Sequence, residues 1–143
     1  MCGIFCYIGS EDAGKECLKG LRNLQYRGYD SAGIAGMDTE GNLYLCKQPG
    51  KIEALESAWE NQNPPSLNLA IGHTRWATHG KPSQENAHPH FDEQKKFFVV
   101  HNGIIENYRD LRQMLIAEGR SFSTETDSEV IAQLISHFYK GDL

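Results

Sequence analysis

The chain has 143 residues, 39% of them hydrophobic and 23% charged, with a formal net charge of -5. That length suits one domain with a real core, and the composition excludes a disordered chain. The acidic balance and the lack of any Lys or Arg run exclude a basic nucleic-acid-binding face. No stretch reaches the roughly 18 apolar residues needed to span a bilayer, and the N-terminus lacks a signal-peptide pattern, so no membrane partner and a cytoplasmic location are expected. Cys2, Cys6, Cys17 and Cys46 form no C-x-x-C pair. Disulfides and zinc knuckles therefore have little support, and Cys6, Cys17 and Cys46 are expected to be small buried hydrophobes.

Residues 4–8 form a short apolar run that reads as a strand. Across residues 12–24, Ala13, Cys17, Leu21 and Leu24 recur on one helical face, although Gly14 and Gly20 weaken the propensity. YRGYDSAG (26–33) reads as a Gly-rich turn before a strand over 34–38. Glu40, Gly41 and Asn42 then turn the chain into a returning strand over 43–48. Residues 52–59 predict a short helix, stopped by NQNPPS. LNLAIGHTRW (67–76) alternates as a strand, with Leu67, Leu69 and Ile71 on one face. KPSQENAHPH reads as an irregular loop, and FFVV from Phe97 as a buried strand. Residues 106–118 predict a helix carrying Leu111, Met114 and Leu115 on one side and closed by Gly119. Thr126, Asp127, Ser128 and Glu129 offer cap chemistry before a helix with Val130, Ile131, Leu134 and Phe138 on one face. This mixture of hairpins and helices is α+β or a layered α/β/α type, not a βαβ repeat.

Four segments combine glycines with polar side chains that a core would not choose: CGIF, YRGYDSAG, GHTRWATHG with NAHPH, and HNGIIEN. Cys2 stands out within them. If Met1 is removed, Cys2 carries a thiol and a free α-amine, groups that titrate in general near ~8.5 and ~8. The amine can then take the thiol proton and later protonate a leaving group. Asn102 and Gly103 read equally as a hairpin turn, and Asp127 as a helix cap. Asp30 and Ser31 read as turn formers. His73, His79, His88, His90 and His101 invite a metal-site reading, but no helical H-x-x-x-H or zinc spacing is present, so no metal is expected and a polar loop of buried histidines beside the reacting site is the better reading.

Together these segments resemble the glutaminase domain of class II, N-terminal-nucleophile glutamine amidotransferases. The match runs from Cys2 to the ETDSEVIAQLI helix. YRGYDSAG favours the branch that aminates fructose 6-phosphate over its purine-pathway relative. The resemblance implies an α+β fold of the N-terminal-nucleophile (Ntn) hydrolase type, a four-layer αββα sandwich. Because the family's glutaminase domain is longer, residues 1–143 would be its N-terminal portion, truncated and without the sugar isomerase domains. A shortened sandwich would expose apolar surface and favour partner contacts or self-association.

The same resemblance implies hydrolysis of L-glutamine through a γ-glutamyl thioester on Cys2, with glutamate and ammonia released. It assigns the oxyanion donors to the Asn102 side-chain amide and the Gly103 N–H. Arg75 would pair with the substrate carboxylate and Asp127 with its ammonium. Trp76, Thr78 and His79 would line the substrate, and Arg27 would orient the N-terminal site. No cofactor is implied. Fructose 6-phosphate would enter only through the isomerase domains, and the full-length form would be a homo-oligomer.

Overall fold

A computed structural model of the protein describes residues 1–77 and 81–141. Its main sheet contains β1 (Gly3–Ile8), β2 (Ser31–Met37), β3 (Leu43–Pro49) and β4 (Leu69–Arg75), in the spatial order β1-β4-β2-β3 with antiparallel neighbours. Two helices, α1 (Ala13–Leu24) and α2 (Ile52–Gln62), cover one face. The other face meets a hairpin of β5 (His90–Phe91) and β6 (Phe98–Val99), backed by α4 (Glu129–Phe138), which in turn packs on α3 (Tyr108–Ala117). The layers run helix, sheet, sheet, helix, so the expected α+β layering is present.

Side-chain alternation divides the sheet. Ala32, Ile34 and Gly36 of β2 lie beside Thr74, Gly72 and Ala70 of β4 and face the helices. There they meet Cys17, Leu21, Ile52 and Leu55, and Leu21, Ile34, Ile52 and Leu55 are fully buried. Burying a side chain of this size contributes about 1.5–3 kcal/mol. Asp12 caps α1 by accepting from Gly14 N at 3.1 Å, and the same oxygen accepts from Leu67 N at 3.3 Å, tying the helix to the approach of β4. Gly20 costs α1 helix propensity but admits Phe5, whose ring a methyl group there would meet at 2.3 Å. Close packing outweighs propensity at that position.

Four local expectations are corrected. Ser31, Ala32 and Gly33 belong to β2 and not to a turn. β2 is a central strand with neighbours on both sides, and small residues let covering elements approach it closely. FFVV yields only the two-residue, half-buried β6. Cys17 and Cys46 are buried, but Cys6 is exposed, because its side chain alternates away from α1 on the edge strand. On α4 the buried residues are Glu129, Val130, Ala132 and Gln133, while Phe138 is 65% exposed. Glu129 accepts from Ser123 N at 2.9 Å and Thr124 N at 2.7 Å, and Gln133 donates to Ser121 O at 3.0 Å. Satisfying these buried backbone groups sets which face turns inward. Among the described residues no helix is long and apolar enough to cross a membrane.

Candidate active site

The ends of β1 and β4 bring Cys2 beside Arg75 and Trp76, since Gly3 pairs with Thr74. The Trp76 backbone N–H donates to Cys2 Sγ at 3.1 Å. The Cys2 carbonyl accepts from Arg27 Nε at 3.3 Å and from Asn102 Nδ2 at 3.2 Å. A terminus that would otherwise fray is thus fixed from three segments. Met1 precedes Cys2, so the Cys2 nitrogen lies in a peptide bond. Met1 Sδ is 3.7 Å from Arg27 Nη2 and lines the same cavity as the thiol.

That cavity has a volume of about 290 Å³ and is lined by Cys2, Arg27, Arg75, Trp76, Asn102, Gly103 and Asp127, among others. Seven residues singled out in the sequence therefore surround one space, which suits a small metabolite. Thr78 and His79 lie outside the described residues. Arg75 is 4% exposed; burial lowers its pKa, while Cys2 and the carboxylates of Asp30 and Asp127 oppose the shift. Its Nη1 donates to Lys81 O at 3.4 Å. Asp127 is also buried, and its Oδ2 accepts from Ile105 N at 2.7 Å. The Asp127 carboxylate thus ties the start of α4 to the 102–105 turn, whereas the position flanking α4 is Ser128, with no side-chain cap bond. Gly103 has φ +155°, a conformation that strains a side-chain-bearing residue.

Other residues at the site carried no functional assignment in the sequence. Asp30 is not merely a turn former: its Oδ2 accepts from Ala77 N at 2.8 Å and its N–H donates to Arg75 O at 3.0 Å, holding the segment after β4. His73, His88 and His90 are buried and in ring contact in series, His73 stacked on His88 at 4.1 Å and His88 edge-on to His90 at 4.2 Å. Gly33 makes room for this stack, since a Cβ there would lie 2.0 Å from the His88 carbonyl oxygen. Burial pushes His73 down to about 4 and holds His88 and His90 well below the ordinary imidazole range. Lys47, also buried, donates to Glu85 O at 2.9 Å, and burial lowers it to about 8. Strand parity could have found His73 and Lys47, because His73 shares the face of Arg75 two residues on, and Lys47 pairs with Gly33 beside it. Among the described residues no cluster of three or more His, Cys, Asp or Glu side chains is arranged to hold a metal ion.

Residues 56–141 match the family described as glutamine amidotransferase domain. The chain is 56% identical over 145 residues to the glutamine–fructose-6-phosphate aminotransferase (isomerizing) of Chlamydia caviae, covering 100% of this chain and 24% of that protein. The protein of the same name from Aquifex aeolicus is 53% identical over 144 residues, again covering 100% of this chain and 24% of the relative. The chain thus spans about a quarter of the length of these curated relatives. Among solved structures, the allosteric regulatory enzyme of purine biosynthesis superposes with a TM-score of 0.81 at 35% identity, over 98% of this chain and 30% of that one. The glutamine phosphoribosylpyrophosphate amidotransferase of B. subtilis gives 0.77 at 33% identity, with the same coverage. The fold is therefore that of the Ntn amidotransferases, and the chain belongs to the glutamine amidotransferase domain family.

Proposed function

We propose that the chain hydrolyses the side-chain amide of L-glutamine at Cys2 once Met1 has been removed. The observation that carries this reading is the meeting of Cys2 with buried Arg75 and Asp127 around one small cavity. An amino acid bears a carboxylate and an ammonium, and Arg75 and Asp127 offer the matching charges. Trp76 borders the same space, and Thr78 and His79 are assigned substrate contacts from their place in the HTRWATH motif alone. Arg27 steadies the Cys2 carbonyl.

In the reaction, the α-amine takes the thiol proton and Sγ attacks the amide carbon. The carbonyl electron pair moves to oxygen, which the Asn102 amide and Gly103 N–H stabilise. The Asn102 NH₂ has two hydrogens, so one can remain on the Cys2 carbonyl while the other meets the oxyanion. Collapse breaks the C–N bond, and ammonia leaves with the proton carried by the α-ammonium. Water then attacks the thioester, releasing glutamate and restoring the thiol.

Glutamate release by the chain, with Met1 removal verified by intact mass, tests this. Hydrolysis should be abolished by Cys2→Ala and nearly absent in protein that retains Met1. Full activity with Met1 attached would overturn the role of the amine. Glutamine binding without turnover in the trimmed chain would leave a binding module instead.

The similarity to far longer aminotransferases supports a wider proposal. Residues 1–143 are read as the N-terminal portion of the glutaminase domain of a cytoplasmic, homo-oligomeric glucosamine-6-phosphate synthase. Isomerase domains outside these residues would bind fructose 6-phosphate and receive the ammonia, making glucosamine 6-phosphate for hexosamine synthesis.

A further inference from the structure

Asn102 is exposed and sits on a turn, yet as an oxyanion donor its amide must face one way. Reversed, it would present an acceptor oxygen to a developing negative charge. Two neighbours decide the orientation. Nδ2 lies 3.2 Å from the Cys2 carbonyl oxygen, and Oδ1 lies 2.8 Å from His73 Nε2. Turning the amide over would set Oδ1 against the Cys2 oxygen, two acceptors in contact. With Nδ2 on Cys2, the His73 contact requires a proton on Nε2. Ring tautomer and amide orientation therefore fix one another.

The ring can serve as a reference because close contacts confine it. His73 is 1% exposed and lies on β4 opposite Gly33. Its face stacks on His88, with an interplanar angle of 26°. His88 meets the edge of His90, whose Nε2 is 3.0 Å from Thr126 Oγ1. The stack thus runs from the main sheet to the segment just before Asp127. At neutral pH the buried ring carries a single proton, and moving it to Nδ1 would forfeit the contact with Asn102.

We propose that His73 is a positioning residue, whose Nε2–H locks the Asn102 amide with its donors toward the reacting carbonyl at Cys2. The kinetic part of this proposal rests on the glutaminase reading; the tautomer does not.

The test uses the full chain with Met1 removed, compared with His73→Leu, which lacks the donor, and His73→Gln, which restores an N–H. The Leu variant should lose on the order of 10²-fold in kcat, near the effect of one oxyanion donor, with KM changed less than about threefold. Alkylation of Cys2 by iodoacetamide, which develops no oxyanion, should proceed at the wild-type rate. The Gln variant should recover most of kcat, and His73→Leu should add little to Asn102→Ala. An unchanged kcat in the Leu variant overturns the proposal. So do parallel losses in KM and alkylation, which mark a merely structural role. Nitrogen-15 NMR at pH 7 provides a readout independent of activity and of variant folding. A neutral Nε2–H ring at His73 is expected, whereas an Nδ1–H ring or an imidazolium overturns the lock even if the chain has no glutaminase activity.

Discussion

On the face of the main sheet that packs against α1 and α2, β4 places Ala70 and Gly72; toward the β5–β6 hairpin it places His73 and Arg75. The helix-covered face is joined by Ala32 and Ile34 from β2, and the hairpin-covered face by Ser31 and Gly33. A side-chain period of two thus lets one set of strands hold a core and a reaction site back to back. The first face needs volume and hydrophobicity, and tolerates approximate geometry at modest cost. The second buries imidazoles and a guanidinium, and each must be matched to a specific partner or carry the cost of desolvation. The comparison assigns stability to one face and chemistry, with a pH-dependent burden, to the other.

The largest test of that division is Leu21→Ala. Leu21 is fully buried among the residues of the helix-covered core. Its truncation should cost about 2–5 kcal/mol in denaturant unfolding. The protein that remains folded should keep the wild-type KM for glutamine. A raised KM with unchanged stability would break the division at its stronger side.

The hairpin-covered face should reveal itself through acid. His73, His88 and His90 are neutral in the fold, facing Arg75 on β4, Lys47 on β3 and His101 beside β6. A solvated imidazole protonates near pH ~6.5, so below that value the unfolded chain binds more protons than the folded one. The contribution is complete above pH ~6.5 and is lost as pH falls toward the folded values, about 4 for His73. Each such ring can contribute a slope of up to about 1.4 kcal/mol per pH unit. Lys47, lowered to about 8, adds almost no slope below pH ~6.5, because it is protonated in both states there. Tm measured from pH 7.5 to 4.5 should fall steeply, whereas a flat profile would remove the buried neutral stack.

Much of this division was legible in the sequence. The polar, Gly-rich segments stood out because chemistry-bearing residue types there are a poor choice for a core, and the family resemblance they carry joined Cys2, Arg75, Asn102 and Asp127 into one site. The elements were legible from helical periodicity and turn residues, whereas the four-layer order followed only from the family resemblance. What the sequence concealed came from contacts between distant segments. SAG (31–33) looks like a turn because its residues are small, but Gly33 is small because the His88 carbonyl presses on a central strand there. The apolar circumference of α4 hid its orientation, which Glu129 and Gln133 set by bonding the 121–124 backbone. His73 was grouped with loop histidines, although its parity with Arg75 in LNLAIGHTRW marked it as a strand residue facing the site.

A smaller effect is expected from Arg75→Lys, which keeps the charge but removes the planar fork. If the guanidinium holds the substrate carboxylate through charge-assisted bonds worth about 1.5–3 kcal/mol, KM should rise roughly 10- to 100-fold. The effect on kcat should be lesser, because this contact is made before and during the reaction alike. A wild-type KM in the Lys variant would place the carboxylate elsewhere and detach Arg75 from substrate selection.

The smallest effect belongs to the outer side of the helix layer. Arg22 of α1 donates from Nε to Glu56 Oε1 of α2 at 2.9 Å, pairs with the second oxygen through Nη2, and lies 3.7 Å from Glu53. This cluster is the visible polar link between the two helices, so it is the natural rival to apolar burial as the cause of their packing. All three side chains are partly or largely exposed, and solvent and salt screen such pairs. Arg22→Ala should therefore lower Tm far less than Leu21→Ala. The difference from wild type should vanish at about 0.5 M salt, where the screening length is only a few Å. A loss comparable to that of Leu21→Ala, persisting in salt, would mean that the helix layer depends on directional polar contacts as the opposite face does.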